Sequence, residues 1–138
     1  MNGSNLFLSL LDSLHALLRD FPIQADMVSI EVHATPPARP EVLIQLAEAD
    51  LAATARGLLE WHRTLAGARS VAVRTSDGDI VHLGVCGHSD EDGTHVEVWA
   101  YAPYDEQLIG ADLRPGARVS LPFEELAVWA VGLGRVTP

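Results

Sequence analysis

Apolar and polar positions divide the chain into helical and extended segments. From residue 4 to 20, apolar side chains recur every three or four residues, through Leu6, Phe7, Leu10, Leu11, Leu14, Leu17, Leu18 and Phe21. Ser9, Asp12, Ser13 and Arg19 fill the other side. That period predicts an amphipathic helix. Ser4 or Asn5 can cap it and Pro22 helps to stop it. The leucine-rich stripe is wider than one sheet contact needs, so part of it is expected to meet a second subunit.

At Met27 the period changes to two. Val28, Ile30 and Val32 alternate with Ser29, Glu31 and His33 up to Ala34, which predicts a strand. Pro36, Pro37 and Pro40 cannot continue it, because proline has no N–H to donate. Glu41 to Glu48 reads as a second strand through Val42, Ile44 and Leu46. Asp50 can cap a second helix running to about Ala66, with Leu51, Ala55, Leu58, Leu59, His62 and Leu65 inward and Gly67 ending it. Three strands are predicted near 69–76, 79–88 and 94–102, then a turn at Leu113-Arg114-Pro115-Gly116 and a short edge strand at 117–121. Pro122 suits the start of a last helix with Glu124 and Glu125 in its first turn, stopped by Gly132 and Gly134.

These elements predict one α+β domain over residues 1–138, built on an antiparallel sheet of about five strands. The order α-β-β-α-β-β-β-α is similar to that of the roadblock/longin and profilin-like modules, over most of the chain and in element order alone. The resemblance implies a fold and assigns no function. Type III secretion chaperones, also small, acidic and dimeric, resemble the chain in the same way, with their strands divided differently about the middle helix.

The register of the three-strand meander can be argued. Thr75-Ser76-Asp77-Gly78-Asp79 places glycine third in a three-residue hairpin loop, where a left-handed backbone is needed. This pairs Val73 with Val81 and Val71 with Leu83. A two-residue Asp-Gly turn would pair Arg74 with Val81 and break the apolar face. If the next hairpin turns through Ser89 to Asp92, Val85 pairs with Val96. The core face then holds Val71, Val73, Val81, Leu83, Val85, Val96, Val98 and Ala100. The other face holds Arg74, His82, Cys86, His88, His95, Glu97, Trp99 and Tyr101. In this register Ala72, His82 and Trp99 form one row, Gly84 faces Glu97 and Cys86 faces His95.

Three histidines, a thiol, a carboxylate and two aromatics on one face admit several readings. His82, Cys86, His88 and His95 are zinc-type ligands, but His82 lies about 13 Å along the strand from Cys86 and cannot share an ion with it. No metal and no cofactor are therefore expected. His82 or His95 beside Glu97 could perform acid–base chemistry, yet no nucleophile motif, phosphate loop or carboxylate pair accompanies them. Trp, Tyr and Arg are enriched at interface hot spots, so Arg74, His82, His95, Glu97, Trp99 and Tyr101 are the candidate binding face. Alternatively a helix covers this face and the aromatics are ordinary core. His62, Trp61 and Trp129 read as packing residues. Asp90-Glu91-Asp92-Gly93 lacks the alternating ligands of a calcium loop.

Composition narrows the partners. The 138 residues carry 19 acidic and 9 basic side chains, a formal net charge of -10. Such a chain repels nucleic-acid backbones and anionic lipid headgroups, so neither nucleic acid nor membrane is an expected partner. All the basic residues are arginine, scattered from Arg19 to Arg135, which fits coding bias better than a guanidinium cluster. Cys86 is the single cysteine, so no intramolecular disulfide can form. Without a recognisable signal segment or a membrane-length apolar run, a cytoplasmic location is expected. The expectation is a non-enzymatic, homodimeric binding or regulatory module. A small His/Glu enzyme is the alternative, and a metal-binding domain the third.

Overall fold

The computed structural model describes residues 3–20, 27–33, 41–89, 93–106 and 113–132, with the side chains of the first helix described from 8 to 19. The elements are α1 (Gly3–Asp20), β1 (Met27–His33), β2 (Glu41–Leu46), α2 (Leu51–Thr64), β3 (Ala66–Arg74), β4 (Ile80–His88), β5 (His95–Pro103), β6 (Arg118–Leu121) and α3 (Phe123–Ala130). The fold is α+β, and the strands form one six-stranded sheet in the order β1-β2-β5-β4-β3-β6. The sheet is mixed rather than antiparallel, because β2 runs parallel to β5. That seam joins a β1–β2 hairpin to the meander of β3, β4 and β5, with β6 added at the far edge. None of the described helices is long and apolar enough to cross a membrane.

The helices share one face. Leu10, Leu14 and Leu17 of α1, Leu51, Leu58 and Trp61 of α2, and Leu126 and Trp129 of α3 join a single core with Val42, Ile44, Val81, Leu83, Val85, Val96 and Val98. On α1 the buried stripe is narrower than its apolar content: Leu8 is 58% exposed and Leu11 38%. Ser4 and Asn5 lie inside the first turn rather than at its cap, and Phe21 and Pro22 fall outside the described residues. Asp50 caps α2 as its sequence predicts, its carboxylate accepting from the Ala53 N–H at 2.8 Å. The helix ends at Thr64, before Gly67, which bends β3 instead. Arg56 of α2 donates to the Ala130 carbonyl at 2.9 Å and ties the end of α3 to α2. Trp61 and Trp129 are fully buried packing residues with no acceptor at either indole N–H among the described residues.

Both meander registers differ from the sequence expectation, for reasons that lie in the turns. Thr75 donates its N–H to the Ile80 carbonyl, closing a loop of Ser76 to Asp79 with Gly78 at φ 84°. Asp77 fixes that loop by accepting from the Thr75 hydroxyl and the Asp79 N–H, contacts that also hold its carboxyl below the usual range. The loop is one residue longer than expected, so Arg74 pairs with Val81, Val73 with His82 and Val71 with Gly84. Val71 and Val73 therefore turn away from the helices, and Ser70 and Ala72 turn inward and are buried. Small residues suffice there because α2 packs on β3 and the large Trp61 and Trp129 fill the same core. Ser70 satisfies its hydroxyl on the Leu121 carbonyl at 2.8 Å.

The β4–β5 hairpin slides by two residues. Gly93 takes φ 74° and donates to the Ser89 carbonyl, so the loop extends through 93 and His88 meets His95. A slip of two keeps every side chain on its expected face while changing every neighbour. Val98 and Trp99 do lie on opposite faces, but His82 pairs with Tyr101, not Trp99.

Candidate functional site

The face opposite the helices can be written as a grid, since paired residues share a row and every second residue shares a face. One row runs Ser29, Gln45, Trp99, Gly84, Val71 and Ser120 across the strands. The next runs Glu31, Leu43, Glu97, Cys86 and Arg69. Beyond it lie His33, Glu41, His95 and His88. On the other side of Trp99, Tyr101, His82, Val73 and Arg118 form a row. No described helix lies over this grid. Its members are half-buried or exposed, apart from Gly84, which Trp99 shields.

Trp99 is the centre of the face. A Cβ built on Gly84 would meet the Trp99 ring at 2.7 Å, so the indole lies flat on the glycine and needs it bare. The covering-helix alternative does not hold for the described residues. Trp99 stands as a ridge between two shallow depressions. One, of about 40 Å³, is bordered by Arg69, Arg118, Cys86 and Glu97. The other, of about 120 Å³, is bordered by Ser29, Glu31, Leu43 and Gln45. Both are well below the ~300–1,000 Å³ of a metabolite pocket. A larger cleft of about 420 Å³ at the start of α2, lined by Asp50, Leu51, Pro103, Tyr104, Asp105 and Glu106, holds no histidine or cysteine.

Of the six candidates for this face, five are on it. His82 and Tyr101 form a tilted ring pair with centroids 4.3 Å apart. His95 and Glu97 sit two residues apart on β5, beside Glu41 of β2. Arg74 is the exception. With Val81 as its partner it projects to the helix side, donates from Nε to the Gly78 carbonyl and from Nη1 to the Leu113 carbonyl, and stacks 3.5 Å from the Tyr104 ring centre. It locks two loops together and contributes nothing to the face.

The ligand and acid–base sets also rearrange. His82 is two rows from Glu97, with Trp99 between them, so those two cannot exchange a proton directly. Cys86 faces Glu97 rather than His95. Among the described residues the group that converges is Glu41, His95 and Glu97, whose ligating atoms all lie within 4.8 Å of one another. The sequence reading missed Glu41, Arg69 and Arg118. Alternation already placed Glu41 opposite Val42, but only the β2–β5 pairing brings it beside His95, and no local pattern announces that pairing. His62, outside this face, is half-buried against Phe123 with ring centres 5.0 Å apart, and burial lowers its pKa below the usual value. Comparison with known proteins finds no family model, no curated protein and no solved structure that matches this chain.

Proposed function

We propose that the chain is a non-enzymatic binding module that works as a homodimer, with the helix-free sheet face as its working surface and a second copy of the chain as its occupant. The observation that carries this reading is the division of charge about Trp99. Glu31 and Glu41 lie to one side on β1 and β2, Glu97 lies on Trp99's own strand β5, and Arg69 and Arg118 lie to the other side on β3 and β6. A twofold axis between the sheets, running along the strands, sets the acidic side of one copy over the arginine side of the other. Such an isologous contact is self-complementary, and opposite charges facing each other offset the repulsion between two chains of net charge -10. The Trp99 ridge and its flanking depressions supply matching relief, and tryptophan is a favoured hot-spot side chain.

The test is the mass in solution. Light scattering at high protein concentration is expected to give twice the 14.9 kDa chain mass. Trp99→Ala and Arg118→Glu should each shift the chain toward monomer while leaving its far-ultraviolet circular dichroism unchanged. Because Cys86 is the single thiol, a short bis-maleimide should link two copies through this face. A monomer mass overturns the reading. So does a dimer that ignores Trp99→Ala but dissociates when Leu8 and Leu11 of α1 are made polar.

A further inference from the structure

The outermost row of the face gathers metal-binding side chains from four adjacent strands: His33 on β1, Glu41 on β2, His95 on β5 and His88 on β4. Three of the chain's six histidines fall in this one row. Glu97 stands behind it on β5 and completes a converging trio with Glu41 and His95. All three members are half-buried. The structure assigns Glu41, His95 and Glu97 as a binding site for one divalent transition-metal cation of the zinc or manganese type.

Three arguments support the assignment. The first is geometric. Four ligands about 2.1 Å from a tetrahedral ion lie roughly 3.4 Å apart. The trio's ligating atoms are within 4.8 Å, so small side-chain rotations close the site without moving the backbone. β2 and β5 are interior strands of the sheet, which holds the ligands on a rigid base.

The second is electrostatic. Two carboxylates share this small volume; Arg69 and Arg118 border the depression beside Glu97, and among the described residues neither forms an ion pair with it. Like charges placed this close and partly out of water repel, and a divalent cation converts that repulsion into attraction. The third is the donor set. One imidazole and two carboxylates suit zinc or manganese, whereas an all-carboxylate cluster would suit calcium or magnesium. The trio leaves coordination positions open on a face that no described helix covers, whereas the His88 ring, although its backbone pairs with His95, lies against Gly67 and outside the trio.

The sequence expectation of no metal rested on the reach between His82 and Cys86, and neither residue belongs to this set. All three ligands come from one chain, so the assignment does not need the dimer, although a bound cation would compete with the second copy's arginines for Glu41 and Glu97.

The experiment uses the full chain, stripped with chelator and titrated separately with Zn²⁺ and Mn²⁺ in a calorimeter, with elemental analysis of the loaded protein. One ion of either metal per chain is expected, with a metal-dependent rise in the melting temperature, as for any ligand that binds only the folded state. Glu97→Gln, which keeps the side chain's size, should weaken binding at least tenfold and abolish the rise, and His95→Ala should do the same. His82→Ala should leave both unchanged. No stoichiometric binding of either ion overturns the assignment. So does binding that survives Glu97→Gln, or binding that is lost in Cys86→Ala and kept in His95→Ala. Circular dichroism of each metal-free variant separates loss of a ligand from loss of the fold.

Discussion

The two faces of the sheet follow the same two-residue period and meet different surroundings. On the helix side Val81, Leu83 and Val98 are fully buried, with 0% exposure. On the other side Val71, Val73, Trp99 and Leu43 remain half-exposed, although they are as apolar. The difference lies in what α1, α2 and α3 cover, not in the residues' own hydrophobicity. Apolar side chains are common on protein surfaces. A continuous patch of them around a tryptophan, edged by acid on one side and arginine on the other, is what an interaction surface needs.

Substitutions can break or sharpen this contrast. The largest effect is expected on the helix side: Leu83→Ala should cost about 2–5 kcal/mol in chemical denaturation, as for other buried leucines. A cost below about 1 kcal/mol would mean that the helices do not seal that face. A matched pair of valines comes next. Val81→Ala should cost about 1–3 kcal/mol and Val73→Ala less than about 1, because only the first leaves a cavity. Equal costs would restore the register in which the two valines are partners. Gly84→Ala should cost about 1 kcal/mol, since the added methyl displaces the Trp99 ring and the flanking depressions can receive it. Its signature is increased iodide quenching of tryptophan fluorescence, and unchanged quenching would show that the ring does not lie on Gly84.

Smaller still, Glu97→Ala should change the stability of the metal-free chain by no more than about 0.5 kcal/mol, as at other half-exposed positions with no ion-pair partner. The smallest effect concerns pH. Burial against Phe123 makes His62 harder to protonate in the folded chain than in the unfolded one, where its pKa is near 6.5. The unfolded state therefore gains the proton first as pH falls. Stability should be complete above about pH 6.5 and decline as pH drops through that value toward the lower folded one. Melting temperatures measured from pH 7.5 to 5 should show this decline, and His62→Gln should reduce it.

Much of this was legible in the sequence because it depends on local period. The leucine stripe of α1, the Asp50 cap, the alternation of Val42, Ile44 and Leu46, and the opposition of Val98 and Trp99 are all set within a few residues of chain. Whatever depended on a neighbour was harder to read. Val71 and Val73 look like core because branched residues favour strands, and nothing near them reveals that the four-residue loop after Thr75 turns Ser70 and Ala72 inward. The turns around Gly78 and Gly93 were recognised as turns, but their lengths follow from hydrogen bonds at Thr75 and Ser89 that composition does not disclose. At the candidate site His95 and Glu97 were visible as a pair, whereas Glu41, more than fifty residues earlier in the chain, was not.

The parallel seam between β2 and β5 also bears on how the molecule comes into being. Hairpins such as β1–β2 and β4–β5 close short loops and can form early, whereas joining them requires the chain to bring Glu41 back to His95 around α2, β3 and β4. Distant pairings of this kind are entropically slow to close and tend to limit the folding rate. In stopped-flow refolding, Val81→Ala in the early-formed meander and Val96→Ala at the seam should therefore both slow folding, with little change in the unfolding rate. The last strand pairing to form would then be the one that assembles the Glu41, His95 and Glu97 cluster, so a chain still in transit has no such cluster to offer.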